Sequence, residues 1–126
     1  MRTPYSNRHV PPAPVLEIRL ALPGESFAVG PLTALLDTGA DATVVPLRHI
    51  RPLGAELSDR RYLRGLWGNR RAVERYLLDV EVAGLRLPSI EVVADDTDEE
   101  IIVGRDVLNR LRITLDGPAG TLEVTG

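Results

Sequence analysis

An acid between two apolar segments is the feature of this sequence that first indicates chemistry. The apolar run Leu32–Leu36 ends at Asp37, Thr38 and Gly39, and a second apolar run, Thr43–Val45, follows. A carboxylate beside apolar strands loses hydration, so its charge needs compensation. Gly39 has no side chain, so the backbone can turn sharply and direct N–H groups at the acid, while the Thr38 hydroxyl can bond nearby backbone. Asp37 is therefore a candidate for a rigidly held catalytic acid.

Asp37 also has an ordinary interpretation. Most Asp-x-Gly triplets cap a turn between two strands, and the triplet by itself does not separate the two possibilities. A second polar segment, Gly104-Arg105-Asp106, follows the apolar run Ile101–Val103. Taken alone, it indicates a turn and the start of a helix, where the helix dipole favours Asp106 in the first turn. Each segment is a weak signal without the other.

Together, the two segments resemble the retropepsin family, the retroviral-type aspartic proteases. The resemblance covers residues 34–45, with the sequence ALLDTGADATVV, and residues 101–108, with the sequence IIVGRDVL. It implies that Asp37 is the catalytic acid and that Arg105 pairs with Asp41 to brace the loop, a task that suits arginine. It also implies that Thr38 reaches across a two-fold axis and that Gly39 supports the carboxylate and the substrate backbone. The residues predicted to support the active-site loop are Thr38, Gly39, Ala40, Asp41, Thr43 and Arg105.

The family places a hairpin flap between these two segments, and residues 63–69 are the candidate here. Glycines on both sides of its tip would let the flap bend over a substrate. The alternative is an ordinary surface hairpin with Trp67 partly buried. The residues predicted to form the flap and bind substrate are Gly65, Leu66, Trp67 and Gly68.

Aspartic peptidases use two carboxylates that share a proton, and they activate water without a covalent intermediate. This sequence contains a single Asp-Thr-Gly, so the resemblance implies a homodimer in which each chain contributes Asp37 to one site. We expect an aspartic endopeptidase that acts on peptide or protein substrates. No cofactor and no metal are expected, because His9 and His49 are the only histidines and lack a ligand-like spacing. The alternative is a non-catalytic dimerisation or peptide-binding module with the same fold.

The elements that would position these residues are short strands rich in Val, Leu and Ile. We predict a mainly β fold, a small closed β-barrel of the acid-protease type with one short C-terminal helix at residues 105–111, as half of a two-fold dimer. Residues 1–14 are polar and proline-rich and are predicted to be a flexible arm, and residues 15–126 are predicted to be the protease domain. The predicted strands are Val15–Leu22, one around Phe27, Leu32–Leu36, Thr43–Val45, Tyr62–Leu66, Ala72–Val82, Glu81–Leu87, Ser89–Ala94, Ile101–Val103, Ile113–Leu115 and Leu122–Val124.

Composition narrows the classes of function. The 126 residues carry a net charge of −3, which argues against a nucleic-acid partner. With no cysteine, no secretory signal and no membrane span, the chain is expected to be cytoplasmic and not membrane-bound. Arginines crowd the flap region, whereas residues 95–100 are acidic. This asymmetry would favour acidic substrates or subunit docking, but a solvated surface is the preferred interpretation.

Overall fold

The computed structural model describes residues 1–64 and 70–125, and within them the protein is mainly β with short helices. The predicted mainly β class is therefore confirmed. The strands are β1 (Arg2–Pro4), β2 (Val15–Ala21), β3 (Val29–Leu36), β4 (Val44–Val45), β5 (Leu57–Arg64), β6 (Arg70–Val82), β7 (Leu85–Ala94), β8 (Ile102–Val103), β9 (Arg112–Asp116) and β10 (Thr121–Thr125). The helices are α1 (Leu47–Ile50), a 3₁₀ turn (Arg51–Leu53) and α2 (Arg105–Leu108).

The larger sheet has seven strands in the order β2-β3-β8-β4-β7-β6-β5, and an additional pairing joins β2 to β6. These pairings connect six of the strands in a ring. The sequence of β2 shows why the strands face as they do: Leu16, Ile18 and Leu20 are buried, while Glu17 and Arg19 between them are exposed. Because successive side chains of a strand point to opposite faces, this alternation directs one face of β2 into the core.

A smaller sheet with the order β1-β10-β9 contains both ends of the chain. The sequence predicts a flexible arm over residues 1–14, and in the structure Arg2, Thr3 and Pro4 pair antiparallel with Glu123, Leu122 and Thr121 of β10. A further bridge joins Ser6 to Ala13 within residues 1–14. The start of the segment is thus held by backbone hydrogen bonds to a strand at the other end of the chain.

Several predicted elements differ in their boundaries from those observed. The run Leu32–Leu36 belongs to β3, which begins at Val29, so the separate strand predicted around Phe27 does not form. The predicted strands Glu81–Leu87 and Ser89–Ala94 overlap the hairpin of β6 and β7, whose turn uses Ala83 and Gly84 with positive φ. The predicted helix at residues 105–111 is shorter and ends at Leu108.

Asp79 is a buried acid on β6 that is 2% exposed. Its carboxylate accepts hydrogen bonds from the N–H groups of Gly24 (2.9 Å) and Ser89 (3.0 Å) and from Arg86 Nε (2.8 Å). Burial by itself raises the pKa of Asp79, but these donors outweigh it, so that the pKa lies below its ordinary value. The guanidinium of Arg86 also lies over the Phe27 ring, 4.5 Å from its centroid. This cluster ties the β2–β3 turn to the β6–β7 hairpin.

The pairing of β5 with β6 is antiparallel and extends from Leu57↔Tyr76 to Arg64↔Arg70. The two strands therefore form the arms of a hairpin at the position where the sequence predicts a flap. Across residues 1–64 and 70–125, none of the helices has the length and apolar character needed to cross a bilayer.

Candidate active site

Asp37 follows directly after β3, at the carboxyl end of that strand. β3 pairs in parallel with β8, so that Leu36 lies opposite Val103. The N–H of Asp37 continues this ladder by donating to the carbonyl oxygen of Val103 at 3.0 Å. The backbone of Asp37 is thereby fixed by the sheet, while the half-buried residue lies at the end of two parallel strands. This arrangement gives the acid a rigid support without enclosing it.

A tight turn after Asp37 orients its carboxylate. The N–H of Gly39 donates to Asp37 Oδ1 at 2.9 Å, and the N–H of Ala40 donates to the carbonyl oxygen of Asp37 at 3.2 Å. The first of these bonds is the one that the sequence predicts for a glycine at this position. Among the residues that the structure describes, Asp37 Oδ2 has no hydrogen-bond partner. One oxygen is held by the loop, and the other is available to a second group.

A buried threonine links the Asp37 loop to α2. Thr43 is fully buried, and its N–H and hydroxyl donate to Asp106 Oδ2 and Oδ1 at 3.0 and 2.8 Å. The hydroxyl oxygen of Thr43 also accepts the N–H of Gly104 at 3.2 Å. Asp106 was predicted only as an acid in the first turn of a helix, and it does accept the N–H of Val107 there, at 2.9 Å. Through its bonds to Thr43, Asp106 also braces the Asp37 loop, a role that sequence reasoning missed.

Gly104 allows this close approach. A Cβ placed on Gly104 would lie 2.5 Å from the carbonyl oxygen of Ala42 and 2.6 Å from its carbonyl carbon. Because these are backbone atoms of the Asp37 loop, a side chain at position 104 would force the loop and α2 apart. The Gly-Arg-Asp segment is thus the sequence signal for a helix that packs directly on the loop.

Arg105 braces the loop through a different partner from the predicted one. Its guanidinium donates from Nη1 to the carbonyl oxygen of Thr38 at 2.8 Å, and its backbone N–H donates to the carbonyl oxygen of Ala40 at 2.9 Å. Within residues 1–64 and 70–125, the salt bridges include no pair of Arg105 with Asp41, so that expectation is corrected. Asp41 is exposed, and an exposed ion pair gains little over solvation. Arg105 still acts on the predicted loop, but it holds the backbone.

The remaining predicted site residues have different outcomes. Thr38 is exposed beside Asp37, where a contact across a two-fold axis would require it to be. The predicted flap residues Gly65, Leu66, Trp67 and Gly68 lie outside the described residues, so their assignment stays a prediction. In the described part of the chain, no group of three or more His, Cys, Asp or Glu side chains could hold a metal ion.

Several charged side chains in the described part of the chain form ion pairs with one another. Arg75 bonds Asp59 at 2.6 Å and Glu91 at 2.7 Å, and Arg48 of α1 bonds Glu99 of the acidic run at 2.5 Å. The hydrogen bond from Arg75 is the main reason that the pKa of Asp59 lies below its ordinary value. These contacts fit the preferred interpretation of the charged segments as solvated surface, because Arg48 and Arg75 already have acidic partners within the chain.

Comparison with known proteins finds a match to a protein family. The profile of the family described as "gag-polyprotein putative aspartyl protease" matches residues 27–110, which include both segments of the site. A search of curated proteins finds no match.

Solved structures with the same fold include three proteases. A retropepsin-like aspartic protease from Rickettsia conorii has 15% identity and a TM-score of 0.66, covering 98% of this chain and 88% of its own. The EIAV protease complexed with the inhibitor HBY-793 has 22% identity and a TM-score of 0.54, covering 86% and 93%. The Simian foamy virus (mac) protease has 21% identity and a TM-score of 0.53, covering 75% and 91%. At these identities the likeness establishes the fold.

Proposed function

Since this chain belongs to the retropepsin-like aspartic proteases, within the gag-polyprotein aspartyl protease family, we propose that it is an aspartic endopeptidase active as a homodimer. The observation that carries the proposal is the set of hydrogen bonds that Asp37 makes. Its Oδ1 is held by the N–H of Gly39, its backbone is fixed to Val103, and its Oδ2 has no partner in the described part of the chain. The parallel strands and the turn hold this carboxylate in place, and its free oxygen can bind a reacting group, as a catalytic acid must.

The proposed reaction uses the Asp37 carboxylates of two chains. One carboxylate accepts a proton from a water molecule held between the two, and that water attacks the scissile carbonyl carbon. The other carboxylate is protonated and donates its proton to the carbonyl oxygen, which gives a tetrahedral intermediate. Two carboxylates a few ångströms apart repel each other when both are ionised, so the stable state of the pair has one proton shared between them. A single chain supplies only one of the two acids.

The proposal also covers the flap, the barrel, the substrate and the location of the protein. The β5–β6 hairpin is proposed to act as the flap over the bound peptide, and the pairing of its arms up to Arg64↔Arg70 supports that role. The small closed barrel predicted from the sequence is part of the proposal as well, supported by the ring of strand pairings. We propose a peptide or protein substrate, no cofactor, and a cytoplasmic location that cell fractionation would test.

Asp37→Asn is the deciding substitution. It keeps the size of the side chain and the acceptor for Gly39 but removes the acid, so the rate of peptide cleavage should fall about 10²- to 10⁴-fold. Purified wild type and variant are compared on a peptide library with mass-spectrometric detection. Glu17→Gln is the matched control, because Glu17 is an exposed carboxylate on β2 and should leave cleavage unchanged.

Equal cleavage by wild type and Asp37→Asn would remove the catalytic proposal. Binding of peptides without cleavage by either protein would favour a peptide-binding module instead. Addition of a chelator should leave the wild-type rate unchanged, since no step of the proposed reaction uses a metal.

A further inference from the structure

The smaller sheet ends in an unpaired strand next to the active-site loop. β9 pairs on one side with β10, and its other side is an edge of the sheet in the described part of the chain. Ile113 and Leu115 of β9 border a groove together with Leu36 and Thr38, the residues on either side of Asp37. Leu115 is 50% exposed, so this side of the groove is open to a partner. An open strand edge is a template for pairing with another strand.

The sequence of β9 is complementary to itself in one antiparallel register. If two copies of Arg112–Asp116 pair around a two-fold axis at Thr114, Arg112 of each copy lies opposite Asp116 of the other. In the same register Ile113 lies opposite Leu115. Opposite charges and apolar pairs at directly facing positions each stabilise an antiparallel sheet. Both types of pair therefore form at once, with no like charges facing each other.

The charged side chains of β9 are available for this pairing. Both are exposed, and among residues 1–64 and 70–125 Arg112 has no ion pair or side-chain hydrogen bond. Asp116 accepts one hydrogen bond, from the N–H of Ala119 at 3.1 Å, which leaves its second oxygen for an arginine. The opposite edge of the sheet is a poorer template, because β1 has three residues and ends at Pro4, which lacks an N–H.

We propose that β9 is the dimer seam, at which a second copy of this chain pairs through Arg112–Asp116 in the register centred on Thr114. This inference rests on the proposed function, since it supplies the second Asp37 that the site needs. The two small sheets become one six-stranded sheet with the order β1-β10-β9-β9-β10-β1. The groove between β9 and the Asp37 loop lies at the contact, so the loops of the two copies meet where the seam forms.

Charge reversal at the two ends of the seam tests the register. Arg112→Asp places a second acid opposite Asp116 at both ends of the homodimer, and Asp116→Arg places two arginines opposite each other. In each variant the dissociation constant of the dimer should rise on the order of tenfold, because two attractive pairs become repulsive. An equimolar mixture of the two variants restores opposite charges at both ends and should form heterodimers as tightly as wild type. The double variant R112D/D116R should form a homodimer of wild-type strength for the same reason.

Sedimentation velocity over a range of chain concentrations measures these dimers, and far-ultraviolet circular dichroism checks that each variant is folded. Arg8→Asp is the control, because it makes the same change of charge at an exposed residue outside β9. The proposed seam would be overturned if both single variants dimerised as tightly as wild type. It would also be overturned if the mixture of the two dimerised no more tightly than each variant alone.

The outcomes separate this inference from the proposed function. If the seam variants dimerise normally and cleave peptide through Asp37, the interface lies elsewhere and the enzyme proposal stands. If the mixture restores dimers that do not cleave peptide, the seam stands and the enzyme proposal fails. A wild type that cleaves peptide as a monomer at every concentration overturns the seam and the two-chain site together.

Discussion

Thr43→Val removes the hydroxyl that joins the Asp37 loop to α2 while keeping a β-branched side chain of similar shape. In the wild type that hydroxyl donates to Asp106 Oδ1 at 2.8 Å and accepts the N–H of Gly104 at 3.2 Å, and Thr43 is fully buried. The substitution therefore leaves a buried N–H without its acceptor and removes one donor from a carboxylate. Both losses occur in the loop that supports Asp37, the proposed catalytic acid.

The expected magnitude follows from these two bonds. An unsatisfied buried donor costs about 1–3 kcal/mol, and a hydrogen bond to a charged acceptor contributes about 1.5–3 kcal/mol. Burying a methyl group in place of the hydroxyl returns about 1 kcal/mol. The free energy of unfolding should fall by about 1.5–5 kcal/mol, a large share of the roughly 5–15 kcal/mol typical of a domain. Peptide cleavage should fall as well, because the carboxylate of Asp37 is held less rigidly.

Urea unfolding followed by far-ultraviolet circular dichroism measures the change, with all variants at one chain concentration because dimerisation stabilises the folded state. Thr33→Val is the matched control: Thr33 is exposed on β3, so its change should stay within about 0.5 kcal/mol. Thr43→Ser keeps the hydroxyl and should lose less stability than Thr43→Val. A Thr43→Val protein as stable as the Thr33→Val control would refute the bracing role of the hydroxyl.

Two further substitutions test other parts of the fold. Gly104→Ala should lower the free energy of unfolding by at least about 2 kcal/mol in the same urea assay, because its Cβ would lie 2.5 Å from the carbonyl oxygen of Ala42. Gly117→Ala is the control, because a Cβ at that position would meet nothing within 4 Å. Equal stabilities of the two variants would contradict the close packing at Gly104. Asp79→Asn should destabilise the protein most above the ordinary carboxyl pKa of 3.8, since the folded-state pKa of Asp79 is lowered and its contribution is lost as pH falls through that lower value. Unfolding measured from pH 7 downward should show the difference between wild type and Asp79→Asn shrinking in that acid range, and a constant difference would contradict the linkage.

The parts of the site that the sequence predicts are those with local causes. Gly39 stands two residues after Asp37, so the turn that brings its N–H to the carboxylate depends on neighbours in the chain. The apolar runs on both sides are likewise local, and they become β3 and β4. Spacing and residue type were enough to identify these features.

The parts that the sequence does not predict depend on distant groups. Arg105 has several acceptors within reach of its long side chain, and only the folded loop shows that the carbonyl oxygen of Thr38 is the one bonded. The bonds of Asp106 to Thr43 join residues far apart in sequence, and nothing in a helix-start pattern indicates them. The pairing of β1 with β10 escapes prediction for the same reason, because prolines and polar residues near the start of the chain indicate an extended segment without naming its partner.

One continuous segment, residues 103–116, connects the support of Asp37 to the proposed seam. Val103 accepts the N–H of Asp37, Arg105 and Asp106 brace the loop around it, and the chain then leaves α2 and enters β9. Pairing of two β9 strands would therefore act on the same segment that holds Asp37. The hydrogen bonds that hold the Asp37 loop join groups of one chain, whereas the second acid of the proposed site comes from the partner. It follows that seam variants should lose cleavage in proportion to lost dimer while keeping the fold, whereas variants of the brace should lose both.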